Sequence, residues 1–272
     1  MATEPVGTLE KALSDKKSAG QKILVPYVCG GLGDWIETIH AITEAGADAV
    51  EVGIPFSDPI MDGPTIQEAS QKALEAGVTP SSILSEIRRA GFSIPIAVMT
   101  YYNIIHHAGH DRFAKVLADC GVAASIIPDL QLDEATDWIR IADENRVENV
   151  MLAAPSTHPD RLRRLAESSR GFVYGVGLMG VTGERSSLAG SASEIARRLK
   201  ECTDKPVLVG VGVSNAVQAA EVSQVSDGVI VGSALIRRLL NGGSPQTAFE
   251  FVRELRKGLD AVPDSHLGKS GF

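Results

Sequence analysis

Residues 23–53 read ILVPYVCGGLGDWIETIHAITEAGADAVEVG. Two short apolar runs, Ile23-Leu24-Val25 and Ala49-Val50-Glu51-Val52, bracket a longer stretch, Trp35–Ala45. Within that stretch Thr38, Ile39, Ile42 and Ala45 recur at the spacing that gives a helix one apolar stripe. Gly46 follows where the helix must stop, in a position glycine fills easily because it tolerates the left-handed cap conformation. Runs this brief and rich in branched side chains suit strands covered by helices, so residues 23–53 predict a strand–helix–strand unit.

The unit repeats in both directions. Further strands are expected at Ile96-Ala97-Val98-Met99, Ala124-Ser125-Ile126-Ile127 and Asn149-Val150-Met151-Leu152. Phe172-Val173-Tyr174, Val207-Leu208-Val209 and Gly228-Val229-Ile230-Val231 complete eight. Helices are expected over Arg112–Asp119, Asp160–Ser168, Ser193–Lys200 and Asn215–Val222, with Gly77, Gly91 and Gly121 at further stops. The stretch from Thr65 to Arg89 is long enough for two helices broken near Thr79-Pro80, an extra helical segment after the second strand. An opening helix near Thr8–Lys17 would cover the barrel bottom. Eight strand–helix units in an α/β chain predict closure into a (β/α)8 TIM barrel, with an open doubly wound sheet as the alternative. No linker or low-complexity boundary interrupts the pattern, so 1–272 is expected to be a single domain with a flexible tail over 265–272.

The 272 residues carry 26 basic and 34 acidic side chains, a formal charge of -8. That balance disfavours a broad nucleic-acid or anionic-membrane footprint but not a local site for a small anion. Neither a membrane-spanning apolar run nor a secretion signal is visible. Cys29, Cys120 and Cys202 are far apart and odd in number, which fits reduced thiols and a cytoplasmic location better than a disulfide scaffold. No close cysteine–histidine cluster suggests a metal, and His106, His107 and His110 read as a solvated loop and helix start.

Chemistry in a barrel concentrates where strands end. Glu51 stands inside an otherwise apolar strand, and alternation turns it away from Val50 and Val52, into the barrel mouth. There it is either a structural carboxylate taking backbone hydrogen bonds or a general acid/base with a raised pKa. Just beyond, Pro55 and Pro59 stiffen a loop that offers Asp58 and Asp62, each able to cap a turn or contact a ligand. Glycines at 175, 177, 180 and 183 flank a segment containing Thr182. Gly210-Val211-Gly212-Val213-Ser214 and Gly232-Ser233 then follow the last two strands, where backbone amides and a helix N-terminus can hold phosphate without a lysine. They lack the spacing of a dinucleotide fingerprint. Tyr27, Met99, Tyr101 and Tyr174 also fall near strand ends, where they serve either core packing or a flat pocket for an aromatic ligand.

Taken in order, these segments resemble tryptophan synthase alpha chains. The likeness is carried by residues 51–59 (EVGIPFSDP), residues 62–67 (DGPTIQ), Met99-Thr100-Tyr101-Tyr102-Asn103 and Pro128-Asp129-Leu130. It continues through Gly180-Val181-Thr182-Gly183, residues 210–214 (GVGVS) and Gly232-Ser233-Ala234. The resemblance implies a (β/α)8 lyase that splits 1-C-(indol-3-yl)glycerol 3-phosphate into indole and glyceraldehyde 3-phosphate. It makes Glu51 the acid/base, Asp62 the acid that orients indole, and Tyr174 a tyrosine beside the substrate. Thr182 belongs to a mobile loop; Gly183, Gly212, Gly232 and Ser233 are phosphate-binding positions, and Tyr27, Met99 and Tyr101 form an aromatic pocket. No cofactor is implied in this chain. The implied partner is a beta chain carrying pyridoxal phosphate, in an alpha2beta2 heterotetramer, met through Pro55, Asp58, Asp129 and Leu130.

The chain departs from the family pattern in three places. The turn after Pro26-Tyr27 lacks the usual glycine–acid–proline, Gln131 stands where a proline is common, and Val211 replaces a large aromatic residue. Two other functions share the fold: a stand-alone lyase releasing free indole, and a non-catalytic barrel that only activates a partner. Retention of both Glu51 and Asp62 argues against the second. A Schiff-base aldolase needs a lysine at a strand end, and none is seen there.

Overall fold

A computed structural model describes residues 7–177, 186–210 and 212–262, apart from the side chains of 186–189. Its strands are β1 (Ile23–Cys29), β2 (Val50–Gly53), β3 (Ile96–Met99), β4 (Ala124–Ile126), β5 (Glu148–Ala153), β6 (Val173–Val176), β7 (Val207–Gly210) and β8 (Gly228–Val231). All neighbours pair in parallel, and β8 returns to β1 with Ile23 opposite Gly228 and Val25 opposite Ile230. The sheet therefore closes, which removes the open doubly wound alternative. Before and between the strands lie α1 (Thr8–Ser18), α2 (Trp35–Glu44), α3 (Pro64–Glu75), α4 (Pro80–Ala90), α5 (Tyr102–Ala108) and α6 (His110–Asp119). Then come α7 (Thr136–Glu144), α8 (Pro159–Ser168), α9 (Ser186–Lys200), α10 (Ala216–Ser223), α11 (Ser233–Leu240) and α12 (Pro245–Asp260). The Thr65–Arg89 stretch divides into α3 and α4 as expected, and Thr79 caps α4 by accepting from Ser82 N.

Strand alternation builds two apolar layers. Val50, Val52 and Val98 face outward and pack with Ile39, Ile42 and Ile87 of the surrounding helices. Ile23, Ala49, Ala97, Phe172 and Leu208 fill the lumen, small side chains making room for large ones. Leu9 and Leu13 of α1 close its lower end, and both are fully buried there. The N-terminus of α1 has no side-chain cap of its own. Instead the Glu148 carboxylate accepts from Leu9 N and Glu10 N, each at 2.9 Å. Gly7 leaves space for that carboxylate, since a Cβ there would lie 2.2 Å from Glu148 Cδ. At the same end the Asp48 carboxylate takes Leu24 N–H and pairs with Lys16, while that of Asp227 takes Val207 N–H and pairs with Lys200. These contacts hold the strand beginnings, so the opposite ends are left to form the site.

One local expectation needs correction. The segment around His106 and His107 is a helix, α5, rather than a solvated loop. Its first N–H, at Tyr102, donates to both oxygens of Asp129, at 2.9 and 3.2 Å, from a loop distant in sequence. Gly109, at φ +84, separates α5 from α6. In addition α9 begins at Ser186, earlier than the expected Ser193, whereas most other boundaries move by only a residue or two. The tail over 265–272 lies outside the described residues.

Candidate active site

A cavity of about 640 Å3 opens at the C-terminal ends of the strands. Its wall brings together Tyr27, Glu51, Asp62, Met99, Leu130, Tyr174, Gly212, Gly232 and Ser233, residues scattered over the chain. Met61 and Ile66 also line it, from the loop after β2 and from α3, and neither is expected on the wall from the sequence.

Glu51 sits in β2 opposite Tyr27 of β1 and Ala97 of β3. It is 1% exposed. Its Oε2 is buried without a hydrogen-bond partner among the described residues. A structural carboxylate would be met by backbone N–H groups, as Glu148 is; here none is found. Burial, and then the negative charge of Asp62, push the Glu51 carboxyl up to about 8. At neutral pH it therefore holds a proton, in contact with a cavity.

Tyr27, buried, and Tyr174, half-buried, line the same cavity. A Cβ on Gly53 would lie 2.0 Å from Tyr27 Oη, and one on Gly210 would lie 2.5 Å from Tyr174 Oη. A side chain at either strand end would therefore have to displace a phenol. Burial first, and nearby acidic groups second, hold both phenols well above their ordinary pKa, so each stays neutral.

Asp62 lies in the loop between β2 and α3, half-buried. Its backbone N–H donates to Pro59 O at 3.1 Å, and its carbonyl accepts from Gln67 Nε2 at 2.8 Å. Tyr101 Oη donates to Asp62 Oδ2 at 3.2 Å and accepts Met61 N–H at 3.0 Å. Burial raises the Asp62 carboxyl above its usual value, and the Tyr101 hydrogen bond pulls it back down. Tyr101 itself is not on the cavity wall: it lies behind Asp62, its ring stacked on Phe56 at 4.9 Å and 22°.

Across the cavity, α11 begins without a side-chain cap. Leu235 N and Ile236 N both donate to Gly232 O at 3.0 Å, which leaves the N–H groups of Ser233 and Ala234 for an anion. The start of α10 is already occupied: Asn215 accepts from Gln218 N, and Gln218 Oε1 accepts from Ser214 N and Oγ. Gly212 adopts φ +46, strained for other residues, with open space where a Cβ would point. Thr182, Gly183 and Val211 lie outside the described residues.

The four partner-contact expectations separate. Asp58 is exposed and Leu130 is half-buried on the cavity wall. Asp129 is engaged at the start of α5. Pro55 is buried at the start of the same loop. The exposed apolar groups of its loop are Ile60, 80% exposed, and Met61, 56% exposed. An apolar pair between Pro59 and Asp62 was the signal available in the sequence. Among the described residues no cluster of histidine, cysteine or acidic side chains is arranged to hold a metal, and no helix is long and apolar enough to cross a membrane.

A closed (β/α)8 barrel holding a buried carboxylic acid, a second carboxylate and an open helix N-terminus in one cavity defines an acid–base barrel enzyme for a small anionic substrate. The family model described as tryptophan synthase alpha chain matches residues 13–261. This chain belongs to that family. It is 42% identical over 259 residues to the tryptophan synthase alpha chain of Streptomyces coelicolor, covering 93% of this chain and 96% of the relative. With the Mycobacterium tuberculosis alpha chain it shares 44% over 244 residues, covering 88% and 90%. A solved structure of Mycobacterium tuberculosis tryptophan synthase superposes with a TM-score of 0.85 at 39% identity, covering 94% of this chain and 99% of that one. One of the alpha subunit from Legionella pneumophila gives 0.83 at 29%, covering 94% and 99%.

Proposed function

We propose that Glu51 and Asp62 carry the lyase half of a tryptophan synthase: the chain cleaves 1-C-(indol-3-yl)glycerol 3-phosphate to indole and glyceraldehyde 3-phosphate. As the alpha subunit it assembles with a beta chain as alpha2beta2, and pyridoxal phosphate belongs to the beta chain. The observation that carries the residue assignment is Glu51, its Oε2 buried without a partner among the described residues, on the wall of the same cavity as Ser233 at the start of α11.

The chemistry follows from the two acids. Phosphate anchors the substrate at Ser233 and Ala234 N–H, with Gly212 and Gly232 leaving room for it. Glu51 donates its proton to indole C3, and positive charge develops over the ring nitrogen. Asp62 accepts from the indole N–H and stabilises that charge as a carboxylate, the form its hydrogen bond from Tyr101 favours. The Glu51 carboxylate then removes the proton of the hydroxyl on the carbon attached to C3. The carbon–carbon bond breaks, its electrons return to the ring, and the carbon becomes the aldehyde. Glu51 ends with the proton it began with. Neutral Tyr174 lies beside the acid pair, and Met99 and Tyr27 supply flat apolar wall. We also assign the chain to the cytoplasm as one domain, supported by its three free cysteines and its single closed barrel.

The test is indole release by the purified chain, alone and with its cognate beta chain. A mixed complex with markedly faster cleavage is the expected result. A chain that is fully active alone and neither binds nor responds to beta favours the free-indole lyase; no cleavage in either setting refutes the activity.

A further inference from the structure

Among the described residues, the hydroxyl of Tyr101 makes its hydrogen bonds to the loop after β2. Its donor goes to Asp62 Oδ2 at 3.2 Å and one acceptor position to Met61 N–H at 3.0 Å. Those contacts fix consecutive residues, one through its backbone and the other through its carboxylate. They therefore set both the path of the loop and the direction in which Asp62 faces. Tyr101 is in turn held firmly: it is 3% exposed and its ring stacks on Phe56. The next peptide N–H, at Tyr102, is held by Asp129 in the loop after β4. The loops after β2 and β4 thus both hold the segment that follows β3, one through the Tyr101 hydroxyl and the other through the Tyr102 N–H.

We propose that Tyr101 is a positioning residue that orients Asp62 for cleavage, rather than a wall of the indole pocket. This rests on the reading that Asp62 accepts the indole N–H. With Oδ2 engaged by Tyr101, Oδ1 is the oxygen left to face the substrate, and one carboxylate geometry is selected before substrate arrives. The same hydrogen bond favours the ionised carboxylate, the state needed to stabilise charge on the ring. The other titratable groups facing Asp62 are Glu51 of β2, Tyr27 and Cys29 of β1 and Tyr174 of β6. None of them is a cation, so among the described residues no positive charge acting on Asp62 substitutes for the Tyr101 donor.

The experiment compares Tyr101→Phe, Asp62→Asn and the double variant in the complex with the beta chain. Phenylalanine keeps the ring against Phe56 and removes only the hydroxyl. Tyr101→Phe is expected to lower kcat by about tenfold to a hundredfold, the range a hydrogen bond to a charged group supports. Inhibition by glyceraldehyde 3-phosphate should stay within about twofold of wild type, because the phosphate site at α11 is untouched. The acid limb of kcat/KM should move to higher pH, since a carboxylate without its donor is protonated more readily. In the Asp62→Asn background, removing the hydroxyl should cost little more, because the residue it orients is already disabled. Losses that multiply in the double variant, or a Tyr101→Phe enzyme as fast as wild type beside an impaired Asp62→Asn enzyme, overturn the inference alone. A wild-type complex that releases no indole overturns the functional reading, and this inference with it.

Discussion

Replacing Glu51 with glutamine should abolish most cleavage and yet give the protein a growing stability advantage as pH rises. In the unfolded chain this carboxyl ionises near its ordinary value of 4.5, whereas in the folded barrel it holds its proton to about 8. Between those values the folded state binds more protons, so the wild type loses stability as pH climbs through the window. Below about pH 4.5 both states are protonated and above about pH 8 both are ionised, so the loss levels off at each end. At 1.36 kcal/mol per pKa unit, the Glu51 contribution to wild-type stability falls by about 3 kcal/mol between pH 5 and pH 8. Glutamine has no such dependence. Its amide, placed where Oε2 has no partner, costs about 1–3 kcal/mol at every pH. The prediction therefore concerns the slope: the variant gains about 3 kcal/mol on the wild type from pH 5 to pH 8. Urea unfolding followed by circular dichroism at several pH values, on both proteins, measures it. Single-turnover indole release should meanwhile fall by about a hundredfold to ten-thousandfold, the usual contribution of a general acid/base. A stability gap that stays constant with pH would refute the reasoning, because Glu51 would then ionise normally and have no proton to give at neutrality.

Gly53→Ala places a Cβ 2.0 Å from Tyr27 Oη, so the phenol must swing into the cavity. The expected cost is about 1–3 kcal/mol of stability together with a raised KM, and unchanged Tm and KM would show that the strand end yields instead. Gly232→Val adds methyl groups beside the open α11 N–H groups. It should raise KM for the phosphorylated substrate by about tenfold or more while sparing an analogue without phosphate. Equal losses for both ligands would point to misfolding or to a different anion site.

The alternation of apolar runs was legible from Ile23 to Val231 because strand and helix periods are local properties of a chain. So was the inward direction of Glu51, which follows from the two-residue period of a strand and the outward valines on either side. Positive φ at Gly46, Gly77, Gly91 and Gly121 matches the helix stops read from sequence. The resemblance supplied the chemistry, which no periodicity contains. The tertiary structure decided what depends on distant partners. Glu51 becomes a proton holder only when the closed barrel removes water and brings Asp62 near; its strand neighbours alone do not raise its pKa. Tyr101 reads as one more aromatic at a strand end until folding places its hydroxyl on Asp62, 39 positions away. The short helix at Tyr102–Ala108 has no acidic cap of its own, and its first N–H finds Asp129 in the next loop. Leu9 N likewise reaches Glu148, across 139 positions. Side-chain periods are set residue by residue along the backbone, but desolvation and long-range hydrogen bonds exist only after closure has chosen which residues meet.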